Sequence, residues 1–128
     1  MASTSENPNV PQRHEHLKRA QENEKLAHAL KKLRTPSGVD WAITVLFYSA
    51  LHYVDAFLAG KNCHPLTHED RNDEIEANGS LAEIANDCRR LEDLSREARY
   101  NIAEYPPEKF AIARARFERI KDHVTSLM

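Results

Sequence analysis

The sequence predicts an all-α protein, an up-and-down bundle of about five helices. Glycines and prolines, which interrupt helices, separate the periodic segments; the glycines are Gly38, Gly60 and Gly79. Within those segments apolar residues recur every three or four positions, as on one face of a helix. No segment alternates apolar and polar residues as a half-buried strand does. Short connections then favour antiparallel neighbouring helices.

Length and composition predict a single domain. The chain has 128 residues, 41% of them hydrophobic and 30% charged, which suits one globular core. We expect a flexible polar tail over 1–10 and one helical domain over 11–128. The longest stretch without a charge, Trp41–Val54, has fourteen residues and predicts no membrane span. With two unpaired cysteines and no export signal, we expect a cytoplasmic protein.

The first two predicted helices differ in how much of their surface is apolar. Helix one should run from about Pro11 to Leu33 with a thin apolar stripe. Helix two, Asp40–Ala59, is apolar nearly all round and should be the central, most buried helix. The stripe of helix one consists of Leu17, Ala20, Ala27 and Leu30, with Leu26 and Leu33 beside it.

The last three predicted helices each have a recognisable core face. Helix three, Thr67 to about Asn78, is short and acidic, with Ile75 as its anchor. Ser80 and Glu83 form the pattern of a capping box that opens helix four, which ends near Tyr100. Helix four should bury Leu81, Ile84, Cys88, Leu91 and Ala98; helix five, from Pro107, should bury Phe110, Ala113, Phe117, Ile120, Val124 and Leu127.

Helix two carries a polar stripe in an otherwise apolar surface. Tyr48, His52 and Asp55 lie at positions i, i+4 and i+7 and so share one face. Buried polar groups need partners, and these three could satisfy one another as a network that sets helix register. A histidine beside a carboxylate is also how a general base is oriented. Both readings stay open.

Further candidates precede helix three. His68 and Arg71 lie one turn apart at the start of that helix, beside the expected mouth of the bundle. His64 falls in the preceding loop, so His52, His64 and His68 form only a weak three-histidine pattern. We predict no metal and no cofactor.

The end of helix four supplies a second cluster. Arg99 and Tyr100 could bind a phosphate and stack on a base. The alternative is structural, because a cation near a helix C-terminus is favourable by itself. Net charge is −2, with basic first and last helices around an acidic middle, which indicates either solvated faces or a phosphate-binding groove.

Three segments together resemble the small prokaryotic HEPN-domain proteins. They are WAITVLFYSALHYVDAFLA at Trp41–Ala59, HPLTHEDR at His64–Arg71, and LEDLSREARYN at Leu91–Asn101. The resemblance covers about Pro11 to Leu127. It implies a helical bundle that forms homodimers and acts on RNA as a metal-independent endoribonuclease of a toxin–antitoxin or defence system. It equally implies nucleotide binding, or pairing with a nucleotidyltransferase-like antitoxin.

The catalytic pattern of that family is not cleanly present. Its catalytic members carry Arg-x(4–6)-His, but the sixth position after Arg99 holds Tyr105. The literal match is Arg116 with His123, inside helix five, about 10 Å apart along the helix axis. Ribonuclease activity therefore stays open.

These observations support three hypotheses of different classes. The first is an RNA- or nucleotide-binding module whose site combines His52 and Asp55 with Arg71, Arg99 and Tyr100. In it, His52 activates a ribose hydroxyl while arginine binds the phosphate, and Tyr48 and His68 contact the ligand. The second is a non-catalytic protein-interaction bundle. The third is a metal-dependent hydrolase that uses His52, His64 and His68.

Overall fold

The computed structural model describes residues 10–100 and 107–128, and within them it confirms the all-α class. Five α-helices and one 3-10 turn pack against one another, and no strand occurs in these two ranges. The predicted tail falls largely on residues 1–9, outside the described part. The elements are α1 (Arg13–Lys31), α2 (Pro36–Ala59), α3 (His68–Ala77), the 3-10 segment Gly79–Ile84, α4 (Ala85–Tyr100) and α5 (Pro107–Leu127).

Helix α2 begins four residues earlier than predicted. Thr35 is its N-cap, and the Thr35 hydroxyl oxygen accepts a hydrogen bond from the Gly38 amide at 3.0 Å. Pro36 then occupies the first helical position, where its missing N–H costs nothing. The prediction that Gly38 separates two segments was wrong, because it lies inside α2 and packs against α1. A Cβ there would stand 2.7 Å from the Leu30 carbonyl oxygen.

The capping box predicted at Ser80 does not form. Asn78 caps this segment instead, since its side-chain oxygen accepts a hydrogen bond from the Ser80 amide at 2.9 Å. The chain then makes a 3-10 turn, and α4 begins only at Ala85. The Glu83 carboxylate lies 3.4 Å from His123 of α5 rather than at the Ser80 amide.

Contacts between the helices define an up-and-down arrangement. His16, near the start of α1, contacts His52 near the end of α2, so these two helices are antiparallel. Arg99, at the end of α4, lies beside Trp41 near the start of α2, so α4 is antiparallel to α2 as well. Arg116, in the middle of α5, bonds Asp87 near the start of α4, and His123, near the end of α5, contacts Ser80 just before α4, so α5 reverses direction again.

The core forms around α2, which packs against α1, α4 and α5. The anchor Ile75 and the predicted inner face of α4 are buried, as expected. Along α5 the predicted seam is buried except at its last residue, Leu127, where the helix ends. Helix α1 is held by Ala20 and Ala27, which are fully buried, whereas Leu26 and Leu33 are exposed.

Helix α2 is longer than its uncharged stretch implied. Among the described residues, it is long and apolar enough to cross a membrane. The uncharged stretch Trp41–Val54 therefore underestimated the length of the apolar helix. Of its apolar window, 83% is buried inside the protein, as in the core helix of a globular domain. After Asp40, the residues of α2 that are not buried form one stripe: Trp41, Val45, Tyr48 and His52.

Candidate functional site

A polar cluster lies where the start of α1, the second half of α2 and the start of α3 meet. His16 Nδ1 and His52 Nδ1 are 3.0 Å apart. One turn further along α2, Asp55 accepts two hydrogen bonds from Arg71, at 2.8 Å from Nε and 3.0 Å from Nη2. His68 Nδ1 lies 3.2 Å from Arg71 Nη1. We call His16, His52, Asp55, His68 and Arg71 the imidazole cluster.

The register between α1 and α2 places the two imidazoles together. The buried Ser49 hydroxyl donates a 2.7 Å hydrogen bond to the carbonyl oxygen of Ala20, which locks the two helices side by side. His16 lies one turn before Ala20, and His52 lies three residues after Ser49. Because the helices are antiparallel, both histidines point into the same gap.

The carboxylate of the cluster is held by α3. Asp55 is only 8% exposed, and its charge is matched by the forked guanidinium of Arg71. Thr67 caps α3, accepting a 3.0 Å hydrogen bond from the Asp70 amide, and so sets the first turn that presents His68 and Arg71. The ion pair thereby ties α3 to the end of α2.

The two imidazoles are neutral at neutral pH. Burial lowers the pKa of His16 and of His52, and the neighbouring His16 lowers the pKa of His52 further, while Asp55 opposes both effects. A single Nδ1–H···Nδ1 hydrogen bond then joins them. The donor ring has its proton on Nδ1 and therefore a bare Nε2, whereas the acceptor ring carries its proton on Nε2. The pair thus presents one acceptor and one donor.

Three arginine side chains lie near this pair. The charges of Arg19 and Arg71 both act on His52. Arg13 packs over Gly60, where a side chain would overlap its guanidinium, and Arg13 Nε is buried without a hydrogen bond among the described residues. Carboxylates lie there too, since Arg71 is paired with Asp55 and Arg19 with Glu22.

The predicted stripe of Tyr48, His52 and Asp55 does lie on one side of α2, but its members do not satisfy one another. His52 pairs with α1 and Asp55 with α3. Tyr48 is 41% exposed, and its ring lies 6.4 Å from the ring of His68, between centroids. Phe47 stacks on the same His68 ring at 6.1 Å. Two aromatic rings thus border the imidazole cluster.

The structure does not bring Arg99 to His52 within one chain. Arg99 Nη1 donates to Ser95 of its own helix at 2.8 Å. The α2 residues beside Arg99 include Trp41 and Thr44. Thr44 lies eight residues before His52, about 12 Å along the helix axis, and Trp41 lies further away. The Tyr100 side chain is outside the described residues. Arg99 lines a cavity of about 330 Å³ with Ser37, Asp40, Trp41, Thr44 and Ala98.

The literal motif pair on α5 is engaged in contacts between helices. Arg116 donates to Asp87 at 2.9 Å, and the Asp87 carboxylate is almost fully buried. His123 Nε2 lies 2.7 Å from the Ser80 carbonyl oxygen. Both side chains connect α5 to the segment around the start of α4.

His16 is the site residue that the sequence analysis missed. The apolar stripe of helix one was taken to begin at Leu17, although His16 stands one turn before Ala20 on the buried side. That position was the available signal. The weak trio of His52, His64 and His68 is also replaced, since the metal-ligand atoms within 4.8 Å of one another belong to His16, His52 and Asp55.

The chain is a small all-helical protein of about five helices. Comparison with family models, curated proteins and solved structures finds no match. What the cluster does must therefore be argued from its chemistry.

Proposed function

We propose that this protein is a HEPN-like RNA- or nucleotide-binding module and that its site is the imidazole cluster. The observation that carries the proposal is the 3.0 Å contact between His16 and His52, two half-buried imidazoles. Histidines that served only to fill the core would be enclosed by apolar side chains. These two are instead only half-buried.

The pair offers the two proton-transfer roles that RNA cleavage requires. The bare Nε2 takes the proton of a ribose 2′-hydroxyl as O2′ bonds to the phosphorus. The Nε2–H of the other ring gives a proton to the 5′-oxygen as its bond to phosphorus breaks, and the shared Nδ1 proton moves to that ring, so both imidazoles end neutral. The products are a cyclic phosphate and a free 5′-hydroxyl, so one proton is taken and one returned. This is endoribonuclease chemistry without a metal.

The surrounding residues suit binding of the same ligand. Arg71 is paired with Asp55, so its role is to hold Asp55 and His68 in place beside the ligand. In the monomer, Tyr48 presents an exposed ring on which a base can stack, at a typical gain of about 1–3 kcal/mol per base; the homodimer proposed below covers this ring. Arg99, which the sequence analysis grouped with His52, is not needed for this site within one chain.

We also propose a homodimer, formed through the exposed stripe of α2. Two antiparallel copies of this stripe are self-complementary, because the same two-fold axis pairs Trp41 with the partner's His52 and Val45 with the partner's Tyr48. The exposed indole of Trp41, 57% accessible, would then be covered. In this arrangement the Arg99 end of one copy approaches the imidazole cluster of the other, which would restore the predicted grouping across the dimer.

Binding tests the proposed site. Fluorescence anisotropy with a labelled single-stranded RNA and with ATP, in EDTA, should give saturable binding by at least one of them. His16→Ala and His52→Ala should each weaken it at least tenfold, which is about 1.4 kcal/mol. His14→Ala, an exposed histidine on the same helix, is the matched control and should leave binding unchanged. Binding that is equally tight in all four proteins would contradict the proposal.

Cleavage and assembly are tested separately. If the pair is catalytic, His52→Ala should abolish cleavage of total RNA in EDTA. Arg99→Ala that still folds should lose activity only if Arg99 of one copy completes the site of the other. Light scattering should give a dimer mass at tens of micromolar, and Trp41→Glu should give a monomer. A wild-type monomer would refute the dimer and leave the RNA experiment unaffected.

A protein-interaction module is the second candidate function. The observation that favours it is an exposed apolar surface, with Leu66 90% accessible in addition to Trp41 and Tyr48. A nucleotidyltransferase-like antitoxin is the partner that the resemblance implies. If neither RNA nor nucleotide binds, and the cluster variants only lower the melting temperature, this function replaces the first.

A further inference from the structure

We propose that His16, His52 and Asp55 bind one divalent transition-metal ion of the zinc type, through the two Nδ1 atoms and one carboxylate oxygen. These three side chains supply the only such group of donors found among the described residues, with all three ligand atoms within 4.8 Å of one another. The inference goes beyond the proposed function and does not depend on it, because ion binding requires neither RNA nor cleavage.

The separation of the two nitrogens fits a shared metal. Zinc–nitrogen bonds are about 2.0–2.1 Å, so two nitrogens at tetrahedral or right angles around one ion are about 2.8–3.4 Å apart. His16 Nδ1 and His52 Nδ1 are 3.0 Å apart before any ion is considered. The separation of the two nitrogens therefore already suits one shared ion.

The helices hold these donors rigidly. His52 and Asp55 lie on the most buried helix, three residues apart, so their side chains share one side of it. His16 is brought to them by the bond between Ser49 and Ala20, which fixes the register of α1 on α2. A ligand set placed by two packed helices loses little conformational freedom when the ion binds.

The ion pair between Asp55 and Arg71 is compatible with this site but lowers its affinity for a metal ion. Each carboxylate oxygen has two lone pairs, so Asp55 can accept from Arg71 and still offer a lone pair to an ion. Hydrogen-bonded carboxylates are usual around protein metal sites, where the outer partner orients the ligand. The guanidinium charge also repels the ion, so we expect an affinity on the order of micromolar, weaker than that of structural zinc sites.

Two imidazoles and one carboxylate leave at least one coordination position open. Imidazole and carboxylate together favour zinc and its neighbours over calcium or magnesium, which prefer oxygen ligands alone. Because both histidines are only half-buried, water or a phosphate oxygen can reach the open position. Such an open position is typical of metal sites that exchange ligands rather than of structural ones.

Metal binding would also change the proposed chemistry of the pair. With both Nδ1 lone pairs on the ion, the proton that the rings share must move to Nε2. Both rings then carry Nε2–H, and the pair has a donor on each side but no base. We therefore expect zinc to inhibit any metal-free RNA cleavage by this site.

The experiment uses the full, untagged chain after EDTA treatment and desalting. Titration with Co²⁺ should produce a visible absorption band that saturates at one equivalent and disappears when Zn²⁺ is added. Competition with a chromophoric chelator measures the affinity for Zn²⁺. His16→Ala should weaken Zn²⁺ binding at least tenfold, whereas His14→Ala and His28→Ala should bind as the wild type does. Mg²⁺ should not compete.

Clear outcomes would overturn the site. Wild-type protein that binds much less than one equivalent of Co²⁺, or His16→Ala that binds as tightly as wild type, refutes it. If circular dichroism shows that His16→Ala does not fold, nitrogen-15 spectra of the wild-type imidazoles decide instead. Zn²⁺ must then shift the His16 and His52 signals and leave His28 unchanged. Zinc binding without RNA binding refutes only the proposed function, and RNA binding without zinc binding refutes only this inference.

Discussion

The two ends of α2 are equally helical and equally central, yet they use their polar side chains differently. At the C-terminal end, His52 and Asp55 make contacts that cross to α1 and α3. At the N-terminal end, Arg99 reaches from α4 to the cavity beside Trp41, while its guanidinium bonds Ser95 of its own helix. The cross-helix polar contacts of the imidazole cluster thus lie at the C-terminal end of α2, and the candidate site lies there.

The difference follows from what each end has to cover. At the C-terminal end, α3 and the start of α1 close over polar groups, so each buried group must find a partner on another helix. At the N-terminal end, Trp41 and Arg99 are exposed and Asp40 is only partly buried. Partly covered polar groups with fixed geometry are typical of sites, whereas solvated ones rarely are.

The largest expected effect is one in which the two ends should not differ. Phe110 lies near the N-terminal end of α2, and Phe117 packs against Tyr53 near the other. Both are fully buried, so replacement of either by alanine should lower the free energy of unfolding by about 3–5 kcal/mol. Urea denaturation measures this. A loss below about 1 kcal/mol at one position would show that the apolar core is not continuous along α2.

The next effect should separate the ends. Asp55→Ala leaves Arg71 nearly buried without its partner, which should cost about 3 kcal/mol in urea denaturation. Asp40→Ala, the matched change at the other end, removes a partly solvated carboxylate and should cost less than about 1 kcal/mol. The double variant Asp55→Ala/Arg71→Met should recover part of the loss. Equal losses for the two aspartates would remove the contrast between the ends.

The smallest effect is a pH dependence of opposite sign at the two ends. Burial lowers the pKa of His16 and His52 below the usual 6.5, so the unfolded state binds more protons and stability falls as the pH drops through that value. Burial raises the pKa of Asp40, so its contribution is present at acid pH and lost as the pH rises through the raised value.

Two conservative variants test that contrast. In EDTA, His16→Gln should flatten the loss of stability between about pH 7 and 5. Asp40→Asn should slightly raise stability at neutral pH, because it removes the cost of a desolvated charge. Urea denaturation across this range checks both. Parallel pH profiles for wild type and His16→Gln would show that the His16–His52 pair stays solvated.

Periodicity predicted the parts of the molecule that depend on one helix at a time. The inner faces of α4 and α5 and the anchor Ile75 are buried as expected, because apolar spacing directly defines a core face. Which of several neighbouring residues caps a helix was harder to predict. Asn78 took the capping role expected of Ser80, and Thr35 began α2 early, since several residues in each stretch could cap a helix.

By itself, the sequence determined the fold class, the central position of α2 and the candidate status of His52 and Asp55, because these depend on residue type and spacing along one helix. Only the tertiary structure decided that His52 meets His16, that Asp55 meets Arg71, and that Arg99 lies instead beside Trp41. Those pairings depend on the direction and register of packed helices. Register is set by contacts such as the bond between Ser49 and Ala20, which join residues far apart in the chain and leave no periodic trace in it.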